Sequence, residues 1–114
     1  MVIKSFEDIV SWQKSKVFVV DIYKAFKNCR DFGFKDQICR ASISIMNNIA
    51  EGFERSGNKE FRNFLFISKG SCGEVRSMLY AAFDLKYISE DEYKNLYENS
   101  IVISKLISGL IKTL

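Results

Sequence analysis

Residues 36–53, DQICRASISIMNNIAEGF, decide the fold predicted for this chain. When successive residues are rotated by about 100°, the apolar side chains of this stretch share one helix face and the polar ones the opposite face. The members of the apolar face are Ile38, Ala41, Ser42, Ile45, Met46, Ile49 and Phe53. We therefore predict an amphipathic helix over residues 35–53 that packs one face into a core. Gly52 and Gly57 flank its end, where a residue of left-handed conformation is expected.

A first helix is predicted over residues 6–28, with Ser5 and Asp8 at the spacing of an N-terminal cap. Steps of three and four indicate one helix face, made of Ile9, Trp12, Lys16, Val19, Tyr23 and Phe26. Other apolar residues widen the hydrophobic surface beyond that face, namely Val17, Phe18, Val20 and Ile22.

Two further helices follow the second. The third is predicted over residues 59–86 with Asn58 as its N-cap, and its small residues Gly70, Gly73, Ser77 and Ala81 indicate close approach by another helix. The fourth starts at Ser89, where Ser-Glu-Asp-Glu is a capping box. Its apolar seam repeats in heptads at Tyr93, Leu96, Ser100, Ile103, Ile107, Leu110 and Leu114.

These patterns predict an all-α, antiparallel up-and-down four-helix bundle formed by a single domain of residues 1–114. The absence of Pro agrees with long helices, because Pro breaks a helix interior. Several helices carry more apolar surface than one seam can cover, so we expect the protein to assemble with copies of itself into a homo-oligomer.

Composition restricts the chemistry of the protein. Because the chain contains no His, it lacks the commonest general base and metal ligand, and we predict no catalytic residue, metal site or cofactor. Cys29, Cys39 and Cys72 do not have the spacing of a metal or redox motif, and we expect reduced thiols in a cytoplasmic protein. The longest uncharged run has ten residues, against the roughly 20 of a membrane span, so no membrane association is expected.

A polar stripe on the second helix is the first candidate site. Its residues follow one another at steps of four, four, three and four, and they are Arg40, Ser44, Asn48, Glu51 and Arg55. Glu51 lies near a helix C-terminus, where a carboxylate is unfavourable, so it should attract a cation such as Arg40 or Arg55. The stripe is either a ligand site or a structural network that ties helices or subunits together.

A basic line on the third helix is the second candidate site. Lys59, Arg62, Lys69 and Arg76 share one side of the helix with the aromatic Phe66, and Arg55 lies just upstream. Cations with an interleaved aromatic ring suit phosphate contact and base stacking, although the chain has a net charge of only +3. The alternative is a solvated helix face.

Residues 36–53 also carry a family resemblance. The pattern Gln37-x-x-Arg40-Ala41-x-x-Ser44-Ile45-x-x-Asn48-Ile49-Ala50-Glu51-Gly52 continues in residues 58–61, 64–65, 69–71, 74 and 87–88. It resembles the four-helix-bundle proteins encoded in intervening sequences of bacterial 23S rRNA genes, and it is similar to accessory proteins of diversity-generating retroelements. Met46 stands where that family usually has Pro.

The resemblance implies a ring of subunits, typically a pentamer, and in the accessory-protein branch an association with nucleic acid. It implies no established enzymatic activity. Together with the basic line, this favours a non-enzymatic RNA-binding or DNA-binding accessory protein. The alternative is a protein–protein interaction scaffold of unknown role that does not bind nucleic acid.

Overall fold

In the computed structural model, which describes residues 3–114, four α-helices follow one short 3₁₀ turn at Phe6–Asp8. The helices are α1 (Val10–Ala25), α2 (Phe32–Glu54), α3 (Asn58–Asp84) and α4 (Glu90–Lys112). Each helix packs against its neighbours in sequence, α1 also packs against α4, and the described residues form no strand. The predicted all-α four-helix bundle is therefore confirmed.

The first helix begins later than predicted. The Asp8 carboxylate accepts hydrogen bonds from the N–H groups of Lys4 (3.1 Å) and Ser5 (3.2 Å), so the predicted cap closes a 3₁₀ turn rather than an α-helix. Ile9 then has an extended backbone (ψ 120°) and a buried side chain before α1 starts at Val10.

The other helix boundaries lie within three residues of the prediction. Asp31 extends the start of α2 to Phe32, because its Oδ1 accepts the Phe34 N–H at 3.2 Å. Asn58 is the first residue of α3 and not its cap; the cap position belongs to Gly57, whose φ of +98° favours glycine. The capping box of α4 forms in full, with Ser89 Oγ accepting from the Glu92 N–H and Glu92 accepting from the Ser89 N–H.

The core lies between the four helices, and the predicted face of the first helix is confirmed only in part. Ile9 and Phe26, at the two ends of that face, are buried, and Trp12 packs against the core. Within α1 the buried residues are Ser11, Ser15, Phe18 and Ile22, whereas Lys16 and Tyr23 are exposed. The two serines present little bulk, so they let α1 approach the bundle where a larger side chain would hold it away. The heptad seam of α4 is buried as predicted at Leu96, Ser100, Ile103 and Ile107.

Helices α2 and α3 approach each other closely at Gly52. A β-carbon at this position would lie 2.6 Å from the Phe64 Cβ and 3.1 Å from the Phe61 ring, which is too close for either to be accommodated without movement. Further along, the Ser68 hydroxyl donates to the Ile45 carbonyl at 2.6 Å. Gly70 and Gly73 do not take part, because a β-carbon on either would meet no atom of this chain within 4 Å. The prediction that they mark a close helix contact within the bundle is wrong.

The connections at one end of the bundle are tied together by Tyr87 and Asp31. The Tyr87 hydroxyl donates to Asp31 Oδ2 at 2.7 Å, and the Tyr87 ring packs edge-on against Phe34. This hydrogen bond is the main reason why the pKa of Asp31 lies below its ordinary value, and the Phe34 N–H acts in the same direction.

All three cysteines are free thiols, and Cys39 and Cys72 are buried. Burial raises the pKa of Cys72 to about 11, and its Sγ donates to the Ser100 carbonyl at 3.2 Å. Among residues 3–114, every helix is too short or too polar to cross a lipid bilayer.

We predict opposite effects for two Gly→Ala substitutions. Gly52→Ala should lower the free energy of unfolding by about 1–3 kcal/mol or more, because α2 and α3 must separate to admit the methyl group. Gly70→Ala should raise it by about 0.5–1 kcal/mol, because the methyl group enters open space and Ala favours the helix. Urea denaturation followed by circular dichroism measures both values. A Gly52→Ala protein as stable as the wild type would contradict the close approach.

We also predict a pH dependence that originates at Asp31. Because the folded state lowers its pKa, Asp31 stabilises the fold above its ordinary pKa of 3.8, and this contribution is lost as the pH falls through the lower folded-state value. Tyr87→Phe should move the pKa of Asp31 back towards 3.8, as NMR titration of the carboxyl carbon would show. Tyr23→Phe serves as the control, since the exposed Tyr23 ring lies on α1. An unchanged Asp31 titration in Tyr87→Phe would contradict the assignment.

Candidate nucleic-acid interface

The edge of α3 that faces α4 brings together most of the predicted basic line. Arg62, near the start of α3, donates from Nη2 to the Leu114 carbonyl at 2.6 Å, and Tyr80, near its end, contacts Tyr97. Lys69 and Arg76 follow Arg62 at steps of seven residues, so they lie on the same edge at intervals of about 10.5 Å. We call Arg62, Lys69 and Arg76 the basic edge.

The cations of the basic edge have no carboxylate partners. The three ion pairs among residues 3–114 join Arg40 to Asp36, Arg55 to Glu51 and Lys94 to Glu90. On the facing helix, the last acidic side chain is Glu98; beyond it α4 carries only Lys105 and Lys112 as charged residues. The Arg62–Lys69 part of the edge therefore faces a segment of α4 without acidic side chains.

Arg62 has a structural contact of its own. Its guanidinium lies at the C-terminus of α4, where the helix dipole favours a cation, and the side chain is half-buried. Lys69 and Arg76 are thus the members of the basic edge whose charges are uncommitted to an anion or a carbonyl within the described chain.

One residue of the predicted nucleic-acid site lies away from this edge. Arg55 forms an ion pair with Glu51 (2.9 Å) and stacks over the Phe64 ring at 5.1 Å, on the α2 side of α3. Lys59 is exposed, and the Phe66 side chain is 53% exposed. Both lie three or four residues from Arg62, so they flank the basic edge on the outward side of α3.

An aromatic cluster, which the sequence analysis did not single out as a site, continues the basic edge. Its four residues come from α3 and α4, and they are Tyr80, Phe83, Tyr93 and Tyr97. The sequence could have indicated the cluster by the spacing within each helix. Tyr80 and Phe83 are three residues apart and Tyr93 and Tyr97 are four apart, so each pair shares a helix face. Tyr93 belongs to the predicted heptad seam of α4, and Tyr80 belongs to no predicted face.

The polar stripe of α2 is divided into separate contacts. Arg40 pairs with Asp36 at 2.8 Å, and Glu51 pairs with Arg55, so Glu51 finds one of its predicted cations. Between these pairs, Ser44 and Ser71 share a hydrogen bond of 2.8 Å that bridges α2 and α3, and Asn48 donates to Ser44 Oγ at 2.9 Å. The part-buried centre of the stripe therefore forms a hydrogen-bonded network that connects α2 to α3.

Cavities lie along the groove between α1 and α4. One of about 290 Å³ is lined by Val17, Phe18 and Val102 among others, and one of about 390 Å³ lies between Ser11 and the end of α4 near Leu110. The Val17 side chain beside the groove is 60% exposed. Apolar surface thus remains uncovered on this side of the bundle, as it does around Phe66 and Ile67 on α3.

Comparison with known proteins identifies the family. A model of the 23S rRNA-intervening sequence proteins matches residues 7–109. The chain belongs to this family.

Among solved structures, the chain is similar to a protein of unknown function from the S23 ribosomal protein family of Bacteroides thetaiotaomicron. The two chains are 29% identical, with a TM-score of 0.86 over 90% of this chain and 99% of the other. A search of curated proteins gives no match. The resemblance seen in residues 36–53 is therefore confirmed for this 23S rRNA-intervening sequence protein.

We predict that Ser71→Ala weakens the fold more than Glu51→Gln does. Ser71→Ala removes a part-buried bridge between α2 and α3 and should lower the free energy of unfolding by about 1 kcal/mol. Glu51→Gln alters the exposed ion pair between Glu51 and Arg55, which lie on adjacent turns of α2. It should change the free energy of unfolding by less than about 0.5 kcal/mol. Chemical denaturation compares the two variants. A larger loss in Glu51→Gln would show that Glu51 has a further partner, such as a second subunit.

Proposed function

We propose that this 23S rRNA-intervening sequence protein is a non-enzymatic, homo-oligomeric accessory protein that binds RNA through the α3–α4 edge. The observation that carries the proposal is the placement of Lys69 and Arg76, two cations without carboxylate partners among the described residues, on one edge of α3, where the α4 segment from Asn99 onwards has no acidic side chain. Phosphate groups complement such an edge by contact with each cation and by release of counterions.

Two further observations support RNA as the partner. The family is described by its origin in intervening sequences of 23S rRNA, which makes RNA the first nucleic acid to test. The aromatic cluster beside Arg76 provides apolar rings next to positive charge, as proteins that bind nucleic-acid strands do.

Self-association would increase the effect of a modest charge. The uncovered apolar side chains of α1 and α3, such as Val17 and Ile67, supply surface for contact with further copies. In a ring, which the family resemblance puts at five subunits, each copy would contribute one basic edge, and linked weak sites bind a long polyanion with avidity. The free thiols agree with a cytoplasmic location.

The non-enzymatic assignment rests on the side chains available. Ser44 and Ser71, the hydroxyls at the centre of the polar stripe, bond to each other and to Asn48, and no His exists to activate either one.

A protein–protein scaffold is the second candidate function, and the groove between α1 and α4 favours it. A cavity of about 290 Å³ beside exposed Val17, lined by apolar residues together with Gln13, Lys14 and Asn99, can receive side chains of another protein. In this function nucleic acid has no part, and the basic edge is a solvated surface.

We predict that Lys69→Glu weakens RNA binding and that Lys16→Glu does not. Binding to a labelled structured RNA is measured by fluorescence anisotropy across a salt series. Lys69→Glu should weaken binding roughly fivefold to tenfold near 0.1 M salt and lower the salt slope by about one, because one phosphate contact is lost. Lys16 makes a matched control, since it is an exposed lysine on α1, which has no contact with α3.

The outcomes separate the two functions. Equal binding by both variants would contradict the basic edge as the RNA site. An absence of wild-type binding even at low salt would contradict RNA binding altogether and favour the scaffold.

A further inference from the structure

The aromatic cluster forms an ordered surface at the loop end of the α3–α4 edge. Phe83 and Tyr93 are stacked with ring centroids 4.7 Å apart, and Tyr80 meets Tyr97 edge-on at 5.6 Å. The Tyr80 hydroxyl donates to the Tyr97 hydroxyl at 3.1 Å. Because the rings hold one another, a partner that stacks on them would not have to order them first.

Part of this cluster is open to solvent. Tyr80 is 52% exposed and Phe83 is 37% exposed, whereas Tyr93 and Tyr97 are half-buried beneath them. An exposed pair of large rings supported by two others differs from a single surface aromatic, because the supporting rings fix the orientation of the exposed ones.

Arg76 lies one helical turn from Tyr80 and has an incomplete environment. Its Nη1 is out of contact with solvent and has no hydrogen-bond partner, and it forms no ion pair with any described carboxylate. At Nη1 the guanidinium has lost contact with water without gaining a hydrogen-bond partner, which costs free energy. An anion beside the guanidinium would offset that cost by a charge-assisted hydrogen bond.

The electrostatics connect Arg76 to the rings. The hydrogen bond to Tyr97 is the main reason why the pKa of Tyr80 is raised. The positive charge of Arg76 lowers this pKa, so Arg76 is close enough to Tyr80 to interact with it electrostatically. Most acidic groups lie towards the other end of the cluster, where Glu90 is paired with Lys94 at 3.3 Å and Asp84 ends α3. On the Arg76 side, α4 carries Glu98 next to Tyr97, and Glu98 forms no ion pair with Arg76. Arg76 itself therefore supplies the positive charge that would hold an anion beside Tyr80.

We propose that Tyr80 and Arg76 form a site for an unpaired nucleotide, whose base stacks on the exposed Tyr80 ring while its phosphate lies beside Arg76. The inference rests on the proposed function and adds the class of substrate: single-stranded or looped RNA in preference to a continuous duplex. A duplex keeps its bases stacked on one another, so it offers phosphates to the basic edge but no free base face to Tyr80.

The test compares one labelled RNA strand, designed to lack structure, with the same strand annealed to its complement. Tyr80→Ala should weaken binding of the single strand by about tenfold and leave duplex binding within about twofold. Tyr80→Phe keeps the ring and should bind like the wild type. Tyr23→Ala is the matched control, because Tyr23 is an exposed tyrosine on α1. Helicity by circular dichroism and mass by light scattering check that each variant keeps its fold and assembly.

The outcomes distinguish failure of the nucleotide site from failure of the proposed function. Selective loss of single-strand binding in Tyr80→Ala, with Tyr80→Phe unaffected, supports the site. Equal binding by Tyr80→Ala and the wild type, while Lys69→Glu weakens binding, overturns the site and leaves the proposed function standing. A wild-type protein that binds neither RNA overturns both. A change of mass in Tyr80→Ala without a selective loss of affinity overturns the site and assigns the cluster to contact between subunits.

Discussion

At Gly52 the backbone of α2 lies so close to Phe64 that even one additional carbon atom would collide with it. This approach fixes how far α2 and α3 are apart, and the hydrogen bonds Ser68–Ile45 and Ser44–Ser71 fix their register along the same contact. A helix held along one face cannot rotate. The opposite edge of α3, with Lys69 and Arg76, is therefore presented to α4 in a single orientation.

The α3–α4 edge changes character along its length because α4 is chemically asymmetric. All its acidic side chains lie in its first half, up to Glu98, and its second half is uncharged or basic. Arg62 contacts the end of the second half through its hydrogen bond to Leu114, and the aromatic cluster lies along the first half. Positive charge and stacking surface thus adjoin at Arg76 and Tyr80, while the polar centre of α2 faces the other side of α3.

Periodicity predicted much of the fold. The apolar face of α2 and the seam of α4 repeat at a helical spacing with polar residues opposite, so their buried sides could be assigned. Helix α1 has apolar residues on several sides, and the choice of the Ser11–Ser15 side depends on how close the other helices come, which no local pattern contains. The aromatic cluster was missed for a related reason. Tyr80 joins the cluster through its contact with Tyr97 on another helix, and which helices pack together is decided only in the assembled bundle.

The packing of α1 has a consequence for the dynamics of the bundle. Two of its four buried residues are serines, so Phe18 and Ile22 provide most of its apolar attachment, and cavities lie along its contact with α4. Local opening in proteins begins where little apolar surface is lost. The amide protons of α1 should accordingly exchange with solvent through detachment of this helix alone, while those of α2 and α3 exchange only when the whole bundle unfolds. We therefore expect α1 to be a cooperative unit of lower stability than α2 and α3.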